Sequence, residues 1–163
     1  MVQLARYKKL NNSLKSLTNI EKNYKIATAE SCTGGLLVAK IVDVANASKV
    51  FDMSFVTYSN ESKTELLGVS ENLINSFGVV SEEVALKMAY GVSMKSKAEV
   101  GVGISGIAGP TGATENKPIG MVCFGFYING ISYSVTKYFG DIGRNNVRNL
   151  SVAFVLDFLN SVL

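Results

Sequence analysis

The segment Ala29-Glu30-Ser31-Cys32-Thr33-Gly34-Gly35 carries more information about the fold and the site than any other part of this sequence. A short apolar run over residues 24–28 precedes it, and a helix-like run over residues 36–44 follows it. This order predicts a strand, a tight polar turn and the beginning of a helix. Such a junction directs backbone N–H groups and small hydroxyls at whatever lies beyond the strand. We therefore look for a functional site at this turn.

The composition is that of an ordinary globular protein. Hydrophobic residues make up 47% and charged residues 18% of the 163 residues, so we expect a single domain over residues 1–163. No apolar run approaches the roughly 20 residues that cross a bilayer, and no signal-peptide region follows the basic residues 1–9. Two cysteines do not form a disulfide framework. We expect a cytoplasmic protein without a membrane partner.

The net charge of +3 is spread along the chain, apart from a small cluster of lysines near the N-terminus. A nucleic-acid-binding protein usually shows a denser basic stripe with interleaved aromatic residues. A solvated basic face is the better interpretation, and no nucleic-acid partner is expected.

The sequence contains no histidine. This absence excludes Ser-His-Asp and Cys-His catalysis within one chain, and it excludes histidine-bound metals. Any general base must therefore be Lys, Tyr, Asp or Glu. We expect no metal and no cofactor.

Hydrophobic spacing and turn residues predict an alternation of helices and strands. An apolar stripe predicts a first helix, with Leu4, Tyr7, Leu10, Leu14 and Leu17 on one face. Strands are predicted over residues 25–29, 50–58, 100–105, 119–128 and 131–139. Helices are predicted over residues 33–41, 59–67, 70–77, 81–97 and 144–162, the last with a stripe at Val147, Leu150, Phe154, Phe158 and Val162. Asn129-Gly130 is a strong hairpin signal between the last two strands.

These elements predict an α/β fold, in which a mixed and mostly parallel sheet of about five strands is covered by helices on both faces. Ligands bind beyond the carboxyl ends of the strands in such sheets. Three polar loops follow strands here, over residues 30–35, 58–63 and 105–112. Parallel first, second and third strands would bring all three loops to one edge.

Ser31 has two interpretations. It could cap the helix that follows, which is the commoner role of a serine at this position. Alternatively, its hydroxyl is a nucleophile, and the N–H groups of Thr33 and Gly34 stabilise an oxyanion. Cys32 competes as a nucleophile because a helix N-terminus can lower a thiol pKa, but a buried apolar role is favoured for it without a histidine.

Lys63 also has two interpretations, as a solvated surface lysine or as a base. Partial burial near the positive end of a helix would depress its pKa toward the neutral range that activation of a serine requires. Tyr58 could relay the proton or orient the lysine. As an isolated residue it would be an aromatic side chain at the rim.

The loop Ser105-Gly106-Ile107-Ala108-Gly109-Pro110 either connects two strands or holds a phosphate or ribose on its backbone N–H groups. It matches neither a Walker A loop nor the dinucleotide fingerprint. Arg144 and Arg148 lie one helical turn apart, where they could hold a phosphate bidentately. Surface arginines are the alternative.

Six motifs occur together in this order, and they resemble the CinA C-terminal domain family. They are Ala-Glu-Ser-Cys-Thr-Gly-Gly at 29–35, Tyr-Ser-Asn-Glu-Ser-Lys at 58–63, Leu-Leu-Gly-Val at 66–69, Gly-Val-Val-Ser-Glu-Glu-Val at 78–84, Ser-Gly-Ile-Ala-Gly-Pro at 105–110 and Lys-Pro-Ile-Gly at 117–120. The resemblance covers the chain from about Leu10 to the final helix.

The resemblance implies a three-layer α/β/α fold and a nicotinamide-nucleotide amidase. Such an enzyme hydrolyses nicotinamide mononucleotide to nicotinic acid mononucleotide and ammonia, so its partner is a small nucleotide substrate. It implies Ser31 as nucleophile, Lys63 as base and Tyr58 as its assistant. Thr33 and residues 106–109 would contact the substrate, and Gly34 and Gly35 would line the oxyanion wall.

Some residues depart from the family pattern. Ala45-Asn46-Ala47-Ser48 replaces Pro-Gly-Ser-Ser, Thr111-Gly112-Ala113 replaces a more glycine-rich stretch, and Gly140-Asp141-Ile142-Gly143-Arg144 is longer than the usual Gly-Asp-Arg. The last two changes affect the predicted grip on the phosphate. The resemblance also implies a stand-alone version without a separate N-terminal domain.

Two further functions stay open from the sequence, namely a nucleotide-binding module with little catalysis and an amidase for another small amide. The hairpin around Asn129-Gly130 could leave an exposed edge strand. That edge is a candidate surface for homo-oligomer formation.

Overall fold

The computed structural model describes residues 24–163, and the predicted first helix lies outside that range. The strands are β1 (Ile26–Glu30), β2 (Phe51–Val56), β3 (Val100–Gly106), β4 (Met121–Ile128) and β5 (Ile131–Tyr138). The helices are α1 (Leu36–Val42), α2 (Asn60–Leu67), α3 (Glu71–Phe77), α4 (Glu82–Ser96) and α5 (Arg144–Val162), with a 3-10 turn at Ala47–Lys49. No helix within residues 24–163 is long and apolar enough to cross a membrane.

The five strands form one sheet in the order β2-β1-β3-β4-β5. Both β2 and β3 pair with β1 in parallel, while β4 is antiparallel to β3 and to β5. Four strands therefore run in one direction and β4 runs against them. The carboxyl ends of β1, β2 and β3 meet at one edge of the sheet, as predicted from the loops.

Helices cover both faces of this sheet, which confirms the predicted three-layer α/β/α class. The side chains of α1 and α5 share one apolar cluster with Ile26 of β1 and with alternate residues of β3 and β4. Those of α2 and α4 share a second cluster with Ala27 and Ala29, on the other face of β1. Every residue of β1 is consequently buried.

Strand β3 alternates Val and Ile with Gly, and each set serves a different face. Val100, Val102 and Ile104 pack into the cluster below α1 and α5. On the opposite face, a Cβ at Gly103 would overlap the carbonyl oxygen of Ala85 in α4, and one at Gly101 would overlap that of Ala89. The glycines therefore let α4 lie directly against the sheet.

The predicted helix and strand boundaries lie close to the observed ones, and the beginning of α1 is the main difference. Helix α1 begins at Leu36 and not at Thr33, because Gly34 and Gly35 have φ values of 58° and 87°. Left-handed backbone cannot form the first turn of a right-handed helix. The two glycines instead complete the turn between strand and helix.

The predicted stripe on α5 is also displaced. Val147 is buried, but Leu150, Phe154 and Phe158 are only partly buried and Val162 is exposed. The fully apolar side of the helix carries Val152, Val155, Leu156 and Leu159 together with Val147. Phe154 and Phe158 lie beside this row and contact β4, where Phe158 stacks on Phe126 and Phe154 lies tilted against Phe124.

Turn chemistry was predicted correctly at several element ends. Ser59 begins α2 by accepting the N–H of Ser62, and Gly68 ends it with a left-handed φ of 69°. Asn129 and Gly130 have φ values of 49° and 87°, as a type I′ hairpin requires.

The contact between β3 and α4 yields a stability prediction. Replacing Gly103 by Ala puts a methyl group into the Ala85 carbonyl, and overpacking of this kind costs about 1–3 kcal/mol. We expect a loss of that size in the free energy of unfolding, measured by urea denaturation. Ser132→Ala on exposed β5 is the control, and equal stability of the two variants would contradict the packing argument.

Candidate active site

The turn after β1 is closed by Glu30, a residue that the sequence reasoning did not single out. Its side chain is fully buried and accepts the backbone N–H groups of Gly35 (3.0 Å), Leu37 (3.1 Å) and Val38 (2.9 Å). The carboxylate thus caps α1 and complements the positive end of the helix. Because Glu30 has this role, the helix-cap interpretation of Ser31 is wrong.

The Ser31 hydroxyl lies instead beside Lys63. The Lys63 side chain, from the first turns of α2, is 1% exposed, and its Nζ is 3.1 Å from Ser31 Oγ. Nζ also donates to the carbonyl oxygens of Thr57 (2.8 Å), Tyr58 (3.3 Å) and Ser59 (3.3 Å). The surface interpretation of Lys63 is therefore wrong, and the predicted Ser–Lys pair is in hydrogen-bond contact.

Burial lowers the pKa of Lys63 below its ordinary value of 10.5, because the ammonium form loses its hydration. Cys32 and Glu61 act in the opposite direction, with a smaller effect than burial. A neutral amine has two N–H donors and one lone pair. Once Lys63 has lost its proton, two of the three neighbouring carbonyls can accept its N–H groups, and its lone pair can accept the Ser31 hydroxyl, as a general base requires.

Cys32 is buried beside this pair, and it is not activated. Burial raises the pKa of its thiol to about 12, and the charge of Glu30 adds to that effect. Its Sγ also packs against Gly106, where a Cβ would lie 3.0 Å from the sulfur. The structure therefore supports the apolar role that the sequence favoured for Cys32.

Tyr58 is 62% exposed and reaches the site in two ways. Its carbonyl oxygen accepts from Lys63, while its hydroxyl accepts from Arg144 at 2.9 Å. The phenol thus contacts neither Ser31 nor Lys63 in this structure. Orientation of Lys63 through the backbone is the role that this geometry supports, and proton relay through the phenol is not.

The predicted pair of phosphate-binding arginines is divided between two places. Arg144 bridges two loops, because it donates to the Gly109 carbonyl (2.9 Å) as well as to Tyr58. Arg148 donates to the Thr33 carbonyl at 2.8 Å and 3.3 Å, away from the cleft. Of the two arginines only Arg144 lines the cleft, and a joint grip of Arg144 and Arg148 on a phosphate stays a prediction.

The residues after Cys32 also turn away from the cleft. The N–H of Gly34 donates to the Ser31 carbonyl at 3.1 Å, and that of Gly35 donates to Glu30. Gly34 therefore cannot supply the oxyanion N–H proposed for it. The Thr33 side chain is buried, and its hydroxyl oxygen has no partner among residues 24–163. Thr33, Gly34, Gly35 and Arg148 do not line the cleft.

The cleft has a volume of about 260 Å³, and the ends of all three predicted loops line it. Of the predicted site residues, Ser31, Tyr58, Lys63, Ser105, Gly106, Ala108, Gly109 and Arg144 contribute to its walls. Ser105 contributes as a structural support, because its hydroxyl donates to the Val79 carbonyl at 2.7 Å. Sequence reasoning did not assign Asn60, Val79 and Val80 to the site, although all three lie within the quoted motifs at 58–63 and 78–84.

Backbone donors and charge give this cleft a preference for negative groups. Within the described part of the chain, the N–H groups of Cys32, Ala108 and Gly109 donate to no backbone carbonyl, and that of Cys32 lies near its own sulfur. Arg144 supplies a positive charge to the lining beside the Lys63 amine, and no Asp or Glu belongs to it. The lining therefore suits an anionic ligand that carries an acceptor oxygen near Ser31.

Fold and site together define an α/β protein whose cleft combines a serine hydroxyl with a buried lysine. Comparison with known proteins then gives the family. The CinA C-terminal domain family matches residues 8–163, and the chain belongs to that family.

Individual relatives agree with this assignment. A CinA-like protein of Kosmotoga olearia is 48% identical over 138 residues, which are 85% of this chain and 33% of that protein. The chain thus spans about a third of the length of that relative.

Two solved structures have the same fold along nearly the whole chain. The competence/damage inducible protein CihA from Agrobacterium tumefaciens has a TM-score of 0.88 at 36% identity, covering 96% of this chain and 94% of that one. A CinA superfamily protein from Escherichia coli has a TM-score of 0.90 at 32% identity, covering 94% and 90%.

The environment of Lys63 yields a titration prediction. Its ammonium should lose the proton at a pH below the ordinary value of 10.5, because burial disfavours the charged form. Nitrogen NMR of ¹⁵N-labelled lysine measures the midpoint, with the Lys63→Met variant assigning the signal. A midpoint at or above the ordinary value would contradict the neutral-base interpretation.

Proposed function

We propose that the protein is a nicotinamide-nucleotide amidase, which converts nicotinamide mononucleotide and water to nicotinic acid mononucleotide and ammonia. The observation that carries the proposal is the 3.1 Å contact between Ser31 Oγ and the buried Nζ of Lys63. A serine beside a neutral lysine is a nucleophile–base pair that needs no histidine. The family resemblance supplies the substrate.

In the first half-reaction, Lys63 takes the hydroxyl proton of Ser31 while Oγ forms a bond to the carboxamide carbon. The resulting oxyanion is then within the reach of the uncommitted Cys32 N–H, the residue next to the nucleophile. The C–N bond breaks as Lys63 returns the proton to the nitrogen. Ammonia leaves, and an acyl ester remains on Ser31.

In the second half-reaction, water replaces ammonia. Lys63 accepts a proton from water as its oxygen attacks the ester carbon, and the C–O bond to Ser31 breaks. The proton returns to Ser31 Oγ, which restores the enzyme and releases the carboxylic acid. The same base therefore serves both steps, as microscopic reversibility favours.

Substrate binding follows from the chemistry of the lining. Val79, Val80 and Ile107 offer apolar surface suited to a flat ring. Arg144 and the free N–H groups of Ala108 and Gly109 suit the ribose phosphate. In this proposal the phosphate displaces the Tyr58 hydroxyl or the Gly109 carbonyl from Arg144 and takes over its donors.

Ammonia release from nicotinamide mononucleotide by the purified protein tests the activity. Ser31→Ala removes the nucleophile, so we expect kcat to fall by about 10³-fold or more. Cys32→Ala should keep most of the activity, because its thiol is not ionised. Retained activity in Ser31→Ala together with a loss of activity in Cys32→Ala would make Cys32 the nucleophile. Binding of the nucleotide by the wild-type protein without ammonia release would indicate a binding module.

Arg144 tests the binding mode of the nucleotide. We expect Arg144→Gln to raise KM for nicotinamide mononucleotide by about 10-fold or more, since a charge-assisted contact contributes roughly 1.5–3 kcal/mol. For the nucleoside, which lacks the phosphate, Arg144→Gln should change KM little. Arg148→Gln is the matched control from the same helix. An equal effect of Arg144→Gln on both substrates would contradict phosphate binding by this residue.

A further inference from the structure

Glu30 is a buried charge whose partners are all backbone groups. Its side chain is fully buried, and no lysine or arginine nitrogen within residues 24–163 forms an ion pair with it. Burying a carboxylate is costly unless its oxygens are hydrogen-bonded. The N–H groups of Gly35, Leu37 and Val38 provide that compensation, so the carboxylate and the beginning of α1 hold each other in place.

The same residue is also fixed through its backbone. The carbonyl of Glu30 accepts the Thr57 N–H at 2.9 Å, and the N–H of Ser31 donates to Ile104 at 3.0 Å. The main chain at residues 30 and 31 is thereby attached to both neighbouring strands, while the side chain is attached to α1. Residues 31–34 form a loop that Glu30 closes at both ends.

A local cap could not replace this long-range one. The N-cap position of α1 is Gly35, which has a φ of 87° and no side chain that could accept an N–H. A serine or aspartate at that position would have to adopt a left-handed backbone that L-residues rarely use. The acceptor must therefore come from another part of the chain, and Glu30 supplies it from the residue before Ser31.

We propose that Glu30 is a positioning residue for the nucleophile. By tying the end of β1 to the beginning of α1, its carboxylate sets the turn that presents Ser31 Oγ to Lys63 and keeps the Cys32 N–H uncommitted. This inference rests on the proposed role of Ser31. It adds that the carboxylate acts on the rate of the chemical step and leaves substrate binding unchanged.

Glu30→Gln tests this role with nearly unchanged volume. The oxygen of the amide can still accept from some of the three N–H groups. Its NH₂ cannot accept, so at least one of the three hydrogen bonds is lost. Glu99→Gln is the matched control, because the Glu99 carboxylate accepts the backbone N–H of Lys25 (2.7 Å) just before the other end of β1. Thermal unfolding of each variant establishes that it is folded.

We expect Glu30→Gln to lower kcat by about 100-fold, as a misplacement of the order of 1 Å can do, and Glu99→Gln to leave it unchanged. Nicotinamide mononucleotide should bind Ser31→Ala and the Glu30→Gln/Ser31→Ala double variant with the same Kd. A purely structural role would weaken Kd in parallel with kcat. That result, or an unchanged kcat in Glu30→Gln, would overturn the proposal.

A second readout separates this proposal from the proposed substrate. A fluorophosphonate probe forms a bond to an activated serine whatever the natural substrate is, and mass spectrometry gives its labelling rate at Ser31. Labelling of wild-type protein that is slowed in Glu30→Gln supports the positioning role even without ammonia release from the nucleotide. Equal labelling of both, or no labelling of the wild type, would overturn it.

Should Glu30→Gln fail to fold, Glu30→Asp takes its place. The shorter side chain keeps the charge but withdraws the carboxylate from α1 by one methylene group. The same loss of kcat and of labelling rate is expected, and a fully active Glu30→Asp would overturn the proposal.

Discussion

The burial of one lysine amine organises this site. Removing an ammonium group from water is unfavourable, and a folded chain reduces the penalty either by pairing the charge or by leaving the amine neutral. Around Lys63 the chain offers three carbonyl oxygens and one hydroxyl, and no carboxylate accepts a hydrogen bond from it. This environment explains why a protein without histidine has a group suited to act as a base. It also explains why the end of β2, the beginning of α2 and the turn after β1 must meet at one point.

The other constraint is the path of the backbone around Ser31. A parallel arrangement of β1, β2 and β3 brings the three loops to one edge, and the glycines of β3 let α4 close the sheet from behind. Within that frame, the Glu30 carboxylate decides which N–H groups of the turn are occupied. The Ser31 hydroxyl then contacts Lys63, and the Cys32 thiol lies in apolar surroundings. In the proposed mechanism, the choice of Ser31 over Cys32 as nucleophile would follow from this packing and not from intrinsic reactivity.

Much of the fold was predictable because its signals are local. The turn after Gly68, the Asn129-Gly130 hairpin and the Ser59 cap each depend on residues within one turn. The pairing of Ser31 with Lys63 was predictable only as far as parallel strands bring loops together. The direction of the Arg148 side chain and the capping of α1 by Glu30 were not predictable. Both depend on which backbone group lies within reach of a long side chain in the folded chain. The stripe on α5 was displaced for a similar reason, because Phe154 and Phe158 extend sideways over β4.

The three main-chain carbonyls around Lys63 have a consequence for evolution of the site. A base held by neighbouring side chains is lost when any one of them is substituted, whereas carbonyl oxygens are common to all twenty amino acids. Positions 57, 58 and 59 can therefore exchange side chains and still present the same acceptors, provided that the backbone path is kept. The environment of the lysine is set by the path of the loop backbone, and the Tyr58 side chain, which lines the cleft, stays available to tune what the cleft accepts.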